Sequence, residues 1–396
     1  MIPLRFIVPL LLLVGGCATQ VSRVPEATQV AACPVCPGIE PAKPAEKPFQ
    51  LADWSDLPGW GADDMTAAFD GFASACKNLA KRDMWSSICA ATRDADRKNL
   101  RGWFEVWFRP WQLANADGSR EGLITGYYEP VINGSRRRKA AFPIPVFGPP
   151  DDMIVVDLAN LYPELKHLKL RGRLEGKRLV PYYSRSEWSK QESRRSGSAL
   201  LWVADPVDFF FLQIQGSGQV ALDDGQRVRI GYADQNGHPY RSIGKWLVDS
   251  GELKADQASM GGIKAWVKAN PSQADALLNV NPSVVFFREL PVDGPGPPGA
   301  LGIPLTPERS IAVDPRVTPL GAPVWLATTR PLSEEPLHRL VVAQDTGGAI
   351  RGPVRADFFW GSGPEAGELA GRMRQRGRMW VLLPKTYAPE QSPAAN

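Results

Sequence analysis

Apolar residues recur along this chain with two periods, and the period changes near residue 120. Met65, Phe69, Phe72, Cys76 and Leu79 stand three and four apart, which predicts an amphipathic helix over 64–80. A second helix is predicted over 94–108, where Trp103 and Trp107 recur four apart beside Phe104 and Phe108; this aromatic stripe reads as core. Beyond residue 120 the spacing shifts towards two. Gly122–Val131 reads as a strand, Phe209–Ile214 as a strongly apolar strand, and Val220–Ile230 as a hairpin turning at Asp224-Gly225. Helices are predicted over 242–250, closed by Gly251, and over 260–269, stopped before Pro271. Strands resume at 283–289, 309–313, 323–328, 338–344 and 378–383, with a helix near 364–375. The whole is mainly β with some helices, and many short strands between Gly/Pro turns suggest barrels.

The N-terminus carries a different pattern. In MIPLRFIVPLLLLVGGC, Arg5 precedes an apolar run, Ile7–Val14, and then Gly15, Gly16 and Cys17. This is a secretory signal over 1–16 ending in a lipobox-like V-G-G-C, and it is shorter than the roughly 20 apolar residues a spanning helix needs. Acylation of Cys17 would anchor the chain to a membrane without crossing it. Residues 17–48 form the lipidated cysteine and a linker with prolines at 25, 34, 37, 41, 44 and 48. That segment reads as a semi-extended spacer of at most roughly 90 Å. Ala18 after the cysteine resembles bacterial lipoproteins sorted to the outer membrane, facing the periplasm.

Apolar residues make up 43% of the chain, enough for a sizeable core across two domains. The net charge of +4 falls to +3 once Arg5 is removed with the signal, too mild to argue for nucleic acid. Arg136-Arg137-Arg138-Lys139 and the arginines at 372, 374, 376 and 378 suit solvated faces or attraction to an acidic polymer. Cys33-Pro-Val-Cys36 has redox-motif spacing but lies in the linker without a βαβ context. With three histidines and no second C-x-x-C, no metal site is implied. Cys76 and Cys89 flank a short amphipathic stretch, and an oxidising compartment would permit a bridge between them.

The chemistry concentrates at VVAQDTGGAIRGPVRADFFWGSG, residues 341–363, read as strand, glycine turn and strand. Asp357 precedes Phe358, Phe359 and Trp360, and a carboxyl against an apolar wall stays protonated closer to neutral pH. Aromatic faces also stack on sugar rings, so the segment points to carbohydrate cleavage. Asp345 before Thr346-Gly347-Gly348 also suits an Asx turn, and Asp314 before Pro315 also suits a turn start. Tyr127, Tyr128, Gln213, Gln215 and Ser217 are candidate sugar contacts together with Phe359 and Trp360, although strand tyrosines and glutamines also simply pack. Glu129 is a candidate second carboxylate.

Taken together, GYYEP (126–130), FFLQIQGSG (210–218), GYADQNGHPY (231–240) and the three aspartates resemble the membrane-bound lytic murein transglycosylase A family, over roughly residues 50–383. The resemblance implies a double-psi β-barrel domain plus an inserted second β-rich domain. The expected layout is a helical part of the barrel domain over 49–125, the insert over 126–288, the three-aspartate part over 289–384 and a tail over 385–396. It implies cleavage of peptidoglycan between N-acetylmuramic acid and N-acetylglucosamine with formation of 1,6-anhydromuramoyl ends, Asp357 as catalytic acid, and Asp345 and Asp314 as its companions. Peptidoglycan glycan strands would be the partner, in company with other cell-wall enzymes, and no cofactor is implied. The competing readings are a two-carboxylate hydrolase, using Asp357 with Asp345 or Glu129, and a non-catalytic expansin-like glycan-binding lipoprotein.

Overall fold

The computed structural model describes residues 48–165, 168–292 and 294–387. The predicted signal, Cys17, the linker with Cys33 and Cys36, and the tail beyond residue 387 lie outside the described residues.

The chain opens with a short strand β1 (Phe49–Leu51) and three helices, α1 (Thr66–Leu79), α2 (Asp83–Ala91) and α3 (Leu100–Trp107), followed by strands β2 (Phe108–Leu113) and β3 (Gly122–Glu129). The expected helical spacing is that of α1, whose Phe69, Phe72, Ala75, Cys76 and Leu79 are all buried. Cys76 and Cys89 form a disulfide joining α1 to α2, with Cα atoms 5.3 Å apart. The aromatic stripe of α3 packs as core: the Trp103 and Phe104 rings sit 5.1 and 6.3 Å from that of Phe69.

Pro130 separates β3 from β4 (Val131–Ser135), where the chain leaves one sheet for another. The segment read as one strand over 122–131 therefore serves two sheets, with the exchange at Pro130. Next come β5 (Ile144–Phe147), β6 (Ile154–Val155), β7 (Arg171–Glu175), β8 (Arg178–Pro181), α4 (Arg185–Arg195), β9 (Ala199–Val203), α5 (Pro206–Gln215), β10 (Ser217–Leu222) and β11 (Arg227–Gln235). Helices α6 (Ile243–Asp249), α7 (Met260–Ala269) and α8 (Ala274–Asn279) and strand β12 (Val285–Leu290) complete the insert. Its main sheet has the order β12-β11-β10-β4-β9-β5, and β6-β7-β8 form a small separate sheet.

Phe209–Ile214, expected as a strand, lies in helix α5. The short apolar run does not distinguish the two periods, but its flanks do. The Asp205 side chain accepts hydrogen bonds from the backbone amides of Val207 and Asp208, Pro206 fills the first turn, and Gly216 closes the helix at φ +79°.

The C-terminal part supplies β13 (Ser310–Val313), β14 (Pro323–Thr329), β15 (Pro336–Thr346), β16 (Arg355–Ser362), α9 (Pro364–Arg372) and β17 (Arg374–Pro384). Strands β17, β14, β15, β13, β16 and β3 pair in that order, and β3 pairs back onto β17, closing a six-stranded barrel. This is the double-psi β-barrel expected from the resemblance. The β13–β15 and β16–β3 pairs are parallel. The barrel interior and the N-terminal helices share one core that includes Phe72, Phe104, Trp325, Phe358 and Trp380. Helix α1 lies against β15 and fixes it through Gln344, a fully buried side chain whose amide donates to the Gly71 carbonyl at 3.2 Å.

Candidate active site

Asp345 and Asp357 stand in one row. Asp345 on β15 and Asp357 on β16 are both Cα partners of Ala312 on β13, and Asp357 is also the partner of Thr125 on β3. Lateral partners share a face of the sheet, and adjacent strands run about 4.8 Å apart, so the two aspartates are set roughly 10 Å apart on one side. Alternation along β3 and β16 then adds Tyr127 and Phe359 to that face, where their rings meet at 5.2 Å.

The two carboxyls are held differently. Asp345 Oδ1 accepts from the backbone amides of Ala300 and Thr346, both at 2.9 Å, and Oδ2 accepts from the Tyr127 hydroxyl at 3.0 Å. Asp357 Oδ1 accepts from the Thr125 hydroxyl at 2.6 Å. Among the described residues its Oδ2 takes no hydrogen bond, so one oxygen is oriented and the other is open to chemistry. Burial pushes the Asp357 carboxyl above the usual range; the Thr125 hydroxyl and the Arg355 guanidinium pull it back, and the Asp345 charge pushes it further up. Asp345 is also raised by burial, against its three donors. Burial and the two carboxylates hold the Tyr127 phenol well above its usual range, so it remains a hydrogen-bond donor.

Asp314 follows β13 and is not free to act. Arg316 grips it at both oxygens (2.9 and 2.6 Å), and the Gly352 amide donates at 2.9 Å. The Arg316 guanidinium, with the Gly352 and Arg316 amides, holds this carboxyl far below the usual range, so it remains a charged clamp between two loops.

Several expected sugar contacts have other work. Trp360 is buried on the opposite face of β16, packed on Phe358 at 4.9 Å, with its ring N–H directed to the Met373 sulfur. Gly126 makes room for it: a Cβ there would come within 2.8 Å of the Trp360 ring. Phe359 is fully buried beside Tyr127, so the aromatic triplet supplies the apolar wall but no stacking platform. Tyr128 is buried, its hydroxyl directed to the Met260 sulfur and its ring against Gly367 on α9; burial pushes the phenol up to about 12. Gln213 is buried and accepts from Arg185 at 2.7 Å. It lines a cavity of about 280 Å³ inside the insert that includes none of the three aspartates. Gln215 is half-buried and accepts from the Tyr128 amide at 3.4 Å, and Ser217 is half-buried at the start of β10. Of the predicted contacts, Tyr127 is the one whose polar group meets an aspartate.

Glu129 has no surface exposure. It accepts from Arg229 on β11 at 2.6 Å, from Gln219 on β10 at 2.8 Å and from Ser362 at the end of β16 at 2.7 Å. The residue ties barrel to insert, and a carboxylate so engaged cannot serve as a second catalytic group.

Sequence reasoning missed Thr125 and Arg355. Thr125 lies two residues before Tyr127 in a predicted strand, so period-two alternation already placed both on one face. Arg355 lies two before Asp357 for the same reason.

The geometry has close counterparts. Residues 123–288 match the family described as the MltA specific insert domain, and residues 309–383 match the 3D domain. The membrane-bound lytic murein transglycosylase A of Escherichia coli K12 is 34% identical over 303 residues, 72% of this chain and 72% of its own length. A crystal structure of MltA from Neisseria gonorrhoeae is 39% identical, with a TM-score of 0.79, covering 89% of this chain and 100% of the other. A structure of E. coli MltA with bound chitohexaose is 28% identical, with a TM-score of 0.66, covering 86% and 96%.

Proposed function

The chain belongs to the membrane-bound lytic murein transglycosylase A family, and from that premise we propose that it cleaves peptidoglycan as a lyase, with Asp357 acting as acid and then as base. The bond cut is the β-1,4 link between N-acetylmuramic acid and N-acetylglucosamine. The single observation carrying the reading is the asymmetry of the two row carboxyls: Asp345 is saturated by three donors, whereas Asp357 is oriented through one oxygen and open at the other.

Asp357 is raised towards the protonated form and donates its proton to the glycosidic oxygen as that bond breaks. The carboxylate left behind accepts the proton of the muramoyl C6 hydroxyl as O6 closes onto C1. The product is a 1,6-anhydro ring, with no water consumed. The nucleophile is already part of the substrate, so the reaction gains the proximity advantage of an intramolecular step. A hydrolase would instead need a second carboxylate to hold water or attack carbon, and Glu129 is committed to Arg229. Asp345, raised by burial but with two amides and the Tyr127 hydroxyl favouring its carboxylate, is the group placed to support the positive charge that develops at C1. The bound chitohexaose of the solved relative is consistent with a glycan-binding groove here.

The test is mass spectrometry of soluble products from purified sacculi. Anhydromuropeptides released without added metal support the reading, and reducing-end muropeptides alone would replace it with hydrolysis. For localisation, no helix among the described residues is long and apolar enough to cross a membrane. Our reading of the membrane association is an outer-membrane lipid anchor at Cys17. Cys17→Ala should abolish palmitate labelling, and unchanged labelling would rule the anchor out.

A further inference from the structure

The cavity of about 280 Å³ in the insert has no part in the reaction derived above. Helix faces build it. Its lining residues on α4 are Arg185, Trp188, Ser189 and Glu192, which share one side of the helix, and α5 supplies Phe209 and Gln213. Ser189 and Asp275, both exposed, border it, so it opens to solvent on that side.

One end of the cavity holds donors with no acceptor. Arg185 donates from Nε to the Asn281 carbonyl at 3.0 Å, and from Nη2 to Gln213 Oε1 at 2.7 Å and to the Ser283 carbonyl. All three acceptors are neutral, and among the described residues Nη1 has no partner and the guanidinium no ion pair. Burial pulls this arginine down to about 10, an effect that Glu192 only partly offsets. Gln213 is 7% exposed, and its oxygen is taken by Arg185 and by the Val285 amide. Its NH2 group has no partner among the described residues and is left to the cavity.

The other end holds acceptors with no donor. Among the described residues the carboxyls of Glu192 and Asp275 accept no hydrogen bond. Burial pushes Glu192 up to about 7; Arg185 pulls it back and Asp275 adds to the rise. Arg185 and Glu192 are seven residues apart on α4, or about 10 Å along the axis. They face the same space without pairing. An α-amino acid group has its carboxylate and ammonium about 3 Å apart, and with a hydrogen bond of about 2.8 Å at each end it spans roughly 9 Å. A simple anion would leave the carboxyls unanswered, and a simple cation would leave Arg185 Nη1 and the Gln213 amide unanswered. Trp188 and Phe209 offer apolar cover to the aliphatic part.

We infer that this cavity binds an α-amino acid zwitterion, its carboxylate at Arg185 and Gln213 and its ammonium at Glu192 and Asp275. The zwitterion has two possible sources, a free amino acid or the free end of a diamino acid in a peptidoglycan stem peptide. The second source rests on the substrate proposed above. It is favoured by the course of α5: Gln215, two residues beyond Gln213, accepts from the Tyr128 amide, next to the tyrosine that meets Asp345. In that case the pocket selects uncrosslinked stems, because crosslinking through the amine turns the ammonium into a neutral amide.

The test is isothermal titration calorimetry of the purified protein with meso-diaminopimelate, with pimelate, which lacks the ammonium groups, and with cadaverine, which lacks the carboxylates. Expected is binding of diaminopimelate, with pimelate and cadaverine at least tenfold weaker. Glu192→Gln, which removes no hydrogen bond of the fold, should weaken diaminopimelate about tenfold and leave pimelate unchanged. A stem tripeptide ending in diaminopimelate that binds more tightly than the free diamino acid identifies the stem as the source, and one that binds more weakly identifies the free amino acid. Pimelate or cadaverine binding as tightly as diaminopimelate overturns the proposal. So does equal binding by Glu192→Gln and a parent with the same circular dichroism, or no binding of diaminopimelate or the tripeptide at about 5 mM. Binding is read without turnover, so reducing-end products from sacculi would refute the lyase reading and leave this result standing.

Discussion

Thr125 and Asp357 are Cα partners across the parallel β16–β3 pair, and the Thr125 hydroxyl donates to Asp357 Oδ1 over 2.6 Å. The hydrogen bond crosses between chain segments 232 residues apart, so the fold itself sets the Asp357 rotamer. Thr125 steadies one oxygen and pulls the carboxyl down against the burial that raises it.

Asp357→Asn removes the proton to be donated while keeping the shape of the side chain. Loss of a general acid costs roughly 10²–10⁴ in rate, and since the same group then serves as base, the upper end is expected. Turnover of sacculi should vanish while glycan binding and circular dichroism remain. A variant retaining a tenth of the parental rate would remove Asp357 from this role.

Thr125→Val tests the tuning. Without the hydroxyl, the folded-state value of Asp357 rises further, because a contact that lowers it is gone. Activity that needs protonated Asp357 is present below that value and lost as pH rises through it, so the alkaline limb of kcat/KM should move to higher pH. The peak rate should fall by about tenfold, as expected for a lost hydrogen bond to an ionisable group. An alkaline limb that stays in place, or moves down, would separate Thr125 from the titration of Asp357.

How far the sequence leads can be judged on particular residues. The strand–glycine turn–strand reading of 341–363 became β15 and β16, and the helix at 260–269 matches α7 residue for residue. Residues 209–214 went wrong because a short buried apolar run carries no usable period, and the deciding signals, Asp205-Pro206 and Gly216, lie at its flanks. Trp360 and Phe359 looked alike as aromatics beside an acid, yet alternation along β16 sends one into the barrel core and the other against Tyr127. The contacts of Asp345 with Tyr127 and of Glu129 with Arg229 join residues 218 and 100 positions apart, on strands that do not pair with each other, and no local pattern encodes them.

Asp314→Asn should destabilise the fold more than it impairs the chemistry. Its folded-state value lies below the unfolded one, so it contributes stability above the unfolded value, near 3.9, and loses that contribution as pH falls through the folded value. At pH 7 the variant should lose about 1.5–3 kcal/mol, the worth of hydrogen bonds to a charged group. Urea titrations should show the gap to the parent closing on acidification below about pH 4. A gap that stays constant with pH would mean the Arg316 clamp is not what stabilises the loop.

Reducing the Cys76–Cys89 bridge frees two packed helices. The cysteines are 13 residues apart, and a closed loop of that size is worth about 3 kcal/mol. Cys76→Ser with Cys89→Ser should therefore lower the urea midpoint while leaving the rate per folded molecule near normal. An unchanged midpoint in the double variant would show that the helices are held by the core alone.

Glu129→Gln separates architecture from catalysis. The amide can still meet Gln219 and Ser362, but it cannot balance the Arg229 charge in a site where both residues are almost fully buried. Removing one partner of such a pair typically costs about 3–5 kcal/mol, because the remaining charge stays desolvated. The expected result is a clearly lower urea midpoint with the rate per folded molecule, measured well below that midpoint, reduced far less than in Asp357→Asn. Any effect on chemistry should come through the β3–β16 ends that Glu129 joins, and so appear more in KM than in kcat. If Glu129→Gln is folded by circular dichroism at the assay temperature and yet as inactive as Asp357→Asn, a second carboxylate takes part in the reaction, and the single-acid mechanism built on Asp357 has to be abandoned.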